Sequence, residues 1–463
     1  MTFNSLAFIF LFLPAAVAGY FLLGRGSDRR WPKVWLLAAS LLFYSAGRIG
    51  TLPVLIGSIT ANCLLARWVL NPAGRFKLHR GALLFFGIAA NVLFLCAFKY
   101  AGFFGVARIP FPLGISFFTI QQIMFLVDCY EGLIEGHNWL DYFVFAGLFP
   151  YVTMGPIVRW KQVVPQLNDS AGWRIKADNL ATGLYLFVIG LFKKVVLADS
   201  FFRWADAGFG YSHPLSLAGG WISALAFTFQ LYFDFSGYTD MAIGAALMLN
   251  VKLPQNFNAP FSARSISDFW RRWHMTLTNF FTTYMYTPII RSMARATTAK
   301  SMLATLVVMV IIGFWHGASW TFVVFGALHG VALALNQLWK KMKWPMPEAL
   351  GWLFTFTFVV VALVVFRASS LAQAGQIVAS MFSLRGGLFD YTPWSGIGRV
   401  DQLLGIGWML FGLATQVRGK SSLEVQRTFR PSWAAAATAV ALAVVSCIYV
   451  NGVVSGSFVY RDF

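Results

Sequence analysis

MLATLVVMVIIGFWHGASWTFVVFGALHGVALALNQL, residues 302–338, holds no Asp, Glu, Lys or Arg. A helix needs about 20 mostly apolar residues to cross the hydrocarbon core. The run is therefore long enough for two closely connected spans. His316 is the residue in it that calls for an explanation. Gly313 and Gly317 flank it, and small residues let another backbone or a substrate approach closely. Trp315 and Trp320 bracket it. Burial favours the neutral imidazole, the form that takes a proton from a hydroxyl. Composition alone leaves two readings open, a satisfied core histidine and a catalytic base. His329 lies about 220° round a continuous helix from His316 and ~20 Å along it, which makes a shared metal site a poor reading. His79, His137 and His213 sit in loops and carry no signal.

The rest of the chain agrees with a membrane. It has 463 residues, 58% hydrophobic and only 11% charged. A soluble chain carries about a quarter charged residues. Apolar runs recur at roughly 3–24, 34–47, 50–70, 81–98, 113–130, 140–158, 180–198, 219–249, 302–338, 351–366, 403–416 and 433–455. They predict an all-α polytopic protein with about 10–13 transmembrane or re-entrant helices. The first run has no basic segment before it, and Arg25, Arg29, Arg30 and Lys33 follow it, so it reads as a retained span rather than a signal peptide.

The net charge of +19 fits cationic cytoplasmic loops better than nucleic-acid binding. The basic clusters 25–33 and 67–80 (Arg67, Arg75, Lys77, Arg80) share one side if residues 34–66 form a hairpin, which puts the N-terminus outside. The acidic stretch 128–141, DCYEGLIEGHNWLD, is expected on the outer side. Cys63, Cys96, Cys129 and Cys447 stand far apart and suggest neither disulfides nor a metal site.

No repeat, low-complexity tract or soluble insertion appears. One membrane-embedded domain over 1–463 is expected, with N-terminal spans 1–110, a core 111–340 and C-terminal spans 350–463. Gln121, Gln122, Lys193, Lys194, Asp234 and Asp240 stand within apolar runs. Such groups usually face the protein interior, water or the interface. They suggest a core hollowed for a polar substrate, or segments that enter and leave one face.

Residues 264–290, RSISDFWRRWHMTLTNFFTTYMYTPII, read as an amphipathic helix capped by Ser267. Phe269, Trp270, Trp273, Leu277, Phe280, Phe281 and Tyr284 fall within an arc of ~120°. Arg271 and Arg272 point away, and Asp268 can pair with Arg272. The helix is expected to lie in the membrane interface, with His274 at the edge of its apolar arc. No Walker loop, GxSxG, HExxH or dinucleotide fingerprint stands in a meaningful context.

SISDFWRRWHMTLTNFF and GFWHGASWTFVVFGALHG resemble the two signature regions of the membrane-bound O-acyltransferase (MBOAT) family, in its bacterial alginate O-acetyltransferase-like branch. QLYFDFSGYTDMAIG, NFNAPFSARSISDFW, PLGISFFTIQQIMFLVDCYEG and FPYVTMGPIVRW are similar to further stretches of that branch. The resemblance covers most of residues 110–330. It implies the family's helical fold around a central tunnel, with His316 and His274 as the catalytic pair. Trp270, Arg271, Arg272, Trp273, Trp315 and Gly317 would contact substrate or donor, and no metal is implied.

By the same resemblance the protein moves acetyl from cytoplasmic acetyl-CoA, bound as substrate with no resident cofactor, toward hydroxyls of a cell-envelope or secreted polysaccharide. Relatives work with a periplasmic SGNH-type partner in the bacterial inner membrane. After FWRRWH many acetyltransferase relatives read LRDYLYIPLGG where this chain has FTTYMYTPIIRS, so the loop after Tyr286 differs. That leaves the acceptor open: alginate, peptidoglycan, cellulose or another glycan. D-alanyl transfer to teichoic acid is the alternative within the family. A transporter is the competing class, and it predicts a repeat symmetry that the sequence lacks.

Overall fold

The computed structural model describes residues 1–28, 30–71, 79–100, 111–295, 297–384, 386–418, 421–452 and 458. Arg29, Arg75 and Lys77 of the basic clusters lie outside them. Among the described residues every regular element is helical. Seven helices are long and apolar enough to cross a membrane: Ile49–Leu70, Arg80–Tyr100, Ala177–Phe209, Thr298–His316, Trp320–Met342, Glu348–Arg367 and Trp433–Val450. Phe8–Leu23 and Ile115–Tyr130 are shorter apolar helices. The 32-residue helix Leu217–Met248 is buried along nearly its whole length. This is the all-α polytopic architecture that the hydropathy pattern predicts.

The basic clusters gather at one end of the molecule. Trp31–Arg48 leads away from that end and Leu52–Leu70 returns to it, as the hairpin reading requires. The Met1 ammonium donates to the Phe43 carbonyl (3.4 Å), so the N-terminus lies toward the opposite end. The acidic stretch 128–141 is not opposite the basic clusters but among them. Lys33 pairs with Asp141 at 2.6 Å. The Arg67 guanidinium lies 4.5 Å from the Trp139 ring. Arg80 donates to the carbonyls of Cys129 and Tyr130. Asp128 takes Arg159 at 2.8 Å and the Tyr284 hydroxyl at 2.7 Å. Its acids are partners for the cationic loops, which local charge alone does not reveal.

From that end, helix Trp139–Gly147 leads inward, and residues 148–158 run buried without regular structure. The chain is back at the basic end by Arg159. Such a re-entrant path is tolerated only where protein covers the backbone. Here Ser40 accepts from the Phe149 N–H, and Thr276 accepts from the Ile157 N–H, both at 3.0 Å.

Lys193 and Lys194 begin a π-helical turn within Ala177–Phe209. Both reach carboxylates: Lys193 pairs with Asp240 (2.6 Å), and Lys194 with Asp199 and Asp234 (2.8 Å each). The extra residue of a π turn lets consecutive side chains face one neighbour. These charges neutralise one another inside the fold.

Thr298–His316 and Trp320–Met342 form a tight antiparallel hairpin. A Cβ on Gly313 would collide with the Phe322 carbonyl, and one on Gly326 with the Met309 carbonyl. Only glycine lets the two backbones approach so closely.

Candidate active site

His316 is the last residue of its helix and is 3% exposed. Gly317 adopts an extended backbone (φ −179°) and ends the helix. The Ser319 hydroxyl oxygen then caps the next helix by accepting from the Thr321 N–H. The histidine therefore stands at a turn with three residues between two helices. The end of a helix leaves carbonyls without partners. Two of them are met from helix Arg80–Tyr100. Tyr100 donates its hydroxyl to the Phe314 carbonyl, and the Lys99 ammonium donates to the Trp315 carbonyl. Lys99 also lies 3.2 Å from the Ser116 hydroxyl and 5.2 Å from the Trp315 ring centre. A cation at a helix C-terminus is favoured by the helix dipole.

The His316 ring sits in an aromatic cage. Trp315 and Phe366 lie 5.0 and 5.2 Å away between ring centres, and Phe325 and Phe322 at 6.3 and 6.4 Å. Gly317 makes the last of these contacts possible, since a Cβ there would meet the Phe322 ring.

The continuous helix expected over 264–290 is broken. Ile266–Trp270 and Met275–Phe281 are separate short helices, and His274 between them has φ 43°, ψ 52°. Its first helix is capped by Ser265, which accepts from the Asp268 N–H; the Ser267 hydroxyl donates instead to Asn336. The break turns His274 inward, where it is 1% exposed rather than interfacial.

Asn256 holds this turn. Its side-chain oxygen accepts from the Thr276 N–H (3.2 Å) and hydroxyl (2.7 Å), and lies 3.4 Å from His274 Nδ1. Its carbonyl accepts from the Met275 N–H. With that oxygen fixed as an acceptor, His274 Nδ1 is the donor and Nε2 carries the lone pair. Phe235 packs edge-on against His274 at 4.7 Å, and Trp315 lies 6.5 Å from it. Trp315 thus stands between the two histidines.

The site residues expected from sequence separate into two places. His274, Trp315, His316 and Gly317 meet in the core. Trp270 is buried and donates its indole N–H to Nδ1 of a third histidine, His329, at 3.2 Å. Trp273 stacks on Phe269 at 5.5 Å. Arg271 and Arg272 line a cavity of about 940 Å³ with Arg264, Lys340, Asp268 and Glu348. Asp268 pairs with Arg272 at 3.1 Å and Arg271 at 3.5 Å, and Glu348 pairs with Arg264. A second cavity of about 560 Å³ adjoins it, lined in part by Phe358.

His329 is closer to this centre than a single long helix would allow, because the turn at 317–319 folds its helix back. Phe325 links the two: its ring is 4.5 Å from His329 and 6.3 Å from His316. Phe358 lies 5.1 Å from His329 on the other side. A column of rings thus leads from the basic-end cavity to His316. Among the described residues no cluster of His, Cys, Asp and Glu could hold a metal ion. Chemically, the centre offers buried imidazoles and the Trp315 indole N–H.

Sequence reasoning missed Lys99 and Asn256, and weighed His329 only as a metal ligand. Lys99 ends an apolar run and reads there as an interfacial anchor.

Comparison with known proteins places these features. Residues 82–372 match the family model described as MBOAT, membrane-bound O-acyltransferase family. The chain is 39% identical to a peptidoglycan O-acetyltransferase of Helicobacter pylori, over 83% of this chain and 80% of that protein. It is 36% identical to a probable alginate O-acetylase, AlgI, of Azotobacter vinelandii, over 83% and 78%. A teichoic acid D-alanyltransferase of Bacillus subtilis is 27% identical over 66% of this chain and 85% of its own length. With the histidine at the hairpin tip, these matches make the chain a member of the membrane-bound O-acyltransferase family, and an acyltransferase.

Proposed function

We propose that this protein transfers acetyl from acetyl-CoA, bound at the basic, cytoplasmic end, toward hydroxyls of a cell-envelope or secreted polysaccharide. An SGNH-type partner in the periplasm completes delivery. The placement of His316 carries this reading: buried at the hairpin tip, it is joined through Phe325, His329 and Phe358 to the cavities at the basic end, where Arg264, Arg271, Arg272 and Lys340 stand. Similarity to two kinds of polysaccharide O-acetyltransferase supports acetyl as the group and a glycan as the destination.

His316 takes the proton of an attacking hydroxyl as its oxygen forms a bond to the thioester carbon. The carbon–sulfur bond breaks, and the CoA thiolate leaves with the proton that His316 then returns. General base catalysis of this kind contributes about 10²–10⁴-fold. The Trp315 indole N–H supplies a donor for the carbonyl oxygen, whose developing charge needs one, while His274, with its Nδ1–H held by Asn256, orients the donor group beside it. At the cavity, Arg264, Arg271, Arg272 and Lys340 match the phosphates of CoA. Those phosphates displace Asp268 and Glu348 as partners.

His316→Ala is expected to abolish acetyl transfer with expression and membrane insertion unchanged. Retained turnover would remove His316 as the base. Offering the purified protein either acetyl-CoA or a D-alanyl carrier-protein thioester identifies the donor, and acceptance of D-alanine alone would overturn the acetyl reading.

A further inference from the structure

Asn256 holds the His274 turn with one side of its amide only. It stands in the stretch LPQNFNAP (253–260) and is 0% exposed. The Thr276 N–H can only donate, so the amide atom facing it is the oxygen, and that fixes which way the amide points. The nitrogen Nδ2 is left on the other side with two N–H donors, and among the described residues neither finds a partner. Burial of such a group costs as much as a lost hydrogen bond, and native proteins keep few of them. The turn itself asks only for an acceptor, which a carboxylate of the same shape would supply equally well. The amide nitrogen is therefore surplus to the fold.

Its surroundings are those of the reaction centre. Phe117 stacks on the His274 ring at 6.2 Å and meets the Trp315 ring edge-on at 5.9 Å, and Trp315 lies 5.0 Å from His316. The Trp315 indole N–H is a second buried donor without a partner. Two orphan donors, on Asn256 and Trp315, thus belong to side chains that both neighbour His274. Preorganised pairs of donors of this kind hold the oxyanion of acyl transfer.

We propose that Asn256 is a catalytic residue whose Nδ2 donates to the thioester carbonyl oxygen, as the partner of the Trp315 indole. As the hydroxyl oxygen bonds to the carbonyl carbon and its proton passes to His316, the π pair moves onto the carbonyl oxygen. The two N–H groups share that charge. The pair returns to the carbon as the carbon–sulfur bond breaks and the thiolate leaves. This assignment rests on the acetyl-transfer reading above.

The test uses inside-out membrane vesicles from cells that make the polysaccharide, with radiolabelled donor outside and transfer counted per molecule of the protein. Asn256→Asp keeps the oxygen that faces Thr276 and His274 and replaces the N–H donors by an acceptor. It is expected to lower kcat about 10²-fold, with the KM for acetyl-CoA and the unfolding temperature in detergent unchanged. Dithioacetyl-CoA, in which sulfur replaces the carbonyl oxygen, separates direct contact from a general effect of the new carboxyl group, because sulfur accepts hydrogen bonds weakly. Relative to the uncatalysed reactivity of the two donors, the unaltered protein is expected to lose about 10²-fold on the sulfur donor. Asn256→Asp should then lose little more, since both changes remove the same contact. Additive losses would overturn the proposal, as would a kcat for Asn256→Asp close to that of the unaltered protein. If Asn256→Asp fails to fold, equal use of the oxygen and sulfur donors by the unaltered protein overturns it without any variant. If vesicles with the unaltered protein move no acetyl from acetyl-CoA, it is the acetyl-transfer reading that fails.

Discussion

A histidine at φ 43° occupies backbone space that costs a non-glycine residue about 1–3 kcal/mol. At position 274 the surroundings impose that conformation through Asn256, which receives three donors from the turn. Asn256→Ala strands those donors, and thermal unfolding in detergent should show a loss of about 1–3 kcal/mol. Asparagine tolerates the left-handed region. His274→Asn should therefore keep the unfolding temperature while transfer falls, whereas His274→Val should lose both.

His137 makes a prediction about pH. Burial pushes its imidazole below the ordinary value, helped by Arg67 and opposed by a hydrogen bond to the Cys63 carbonyl. The unfolded chain then binds protons that the folded one refuses. Stability should be full above about pH 6.5 and fall as pH drops below it, and His137→Gln should flatten that fall. The burial of His316 was legible in the sequence because its neighbours along the chain are apolar residues, glycines and tryptophans. Lys99 and Asn256 were not, because each acts on residues far away in sequence.

The hairpin Thr298–His316 and Trp320–Met342 was readable from length and composition, since a run free of charged residues and twice a span long has few alternatives. Its packing adds a test. Gly313→Val must push against the Phe322 carbonyl one helical turn from His316. Displacement of a catalytic group by about 1 Å costs about 10²-fold. Transfer should fall by that order while the protein still inserts, as measured by rate per molecule of purified enzyme. The neighbouring segment 264–290 was misread for a physical reason. Its apolar residues do share one face of an ideal helix, but Asn256 and the hydrogen bond from the Asn258 N–H to the Arg272 carbonyl bind the backbone where the helix breaks. Periodicity describes an isolated helix; it is silent on a loop that arrives from elsewhere.

Across the molecule, the all-helical, multi-span architecture followed from the apolar runs. The side of residues 128–141 did not, because acidic side chains can attend a basic face as its counter-ions. Opposed ends can be tested directly: Lys343→Cys and Ser369→Cys should react with a membrane-impermeant thiol reagent from opposite sides. The charges within the core follow the logic of buried ion pairs, where removal of one partner costs about 3–5 kcal/mol. Lys194→Met leaves Asp199 and Asp234 facing each other without their cation, and should lower folded yield and unfolding temperature far more than Arg203→Met, whose partner Asp401 is exposed.

The caps that Tyr100 and Lys99 place on the Phe314 and Trp315 carbonyls join the first hundred residues to the turn that carries His316. Those residues are therefore no detachable anchor. A shortened chain beginning after residue 110 would still contain His274, His316 and His329, yet the helix Thr298–His316 would end in two bare carbonyls beside His316. Supplying residues 1–110 as a separate polypeptide should restore transfer to that fragment, and should do so less well when position 99 is methionine.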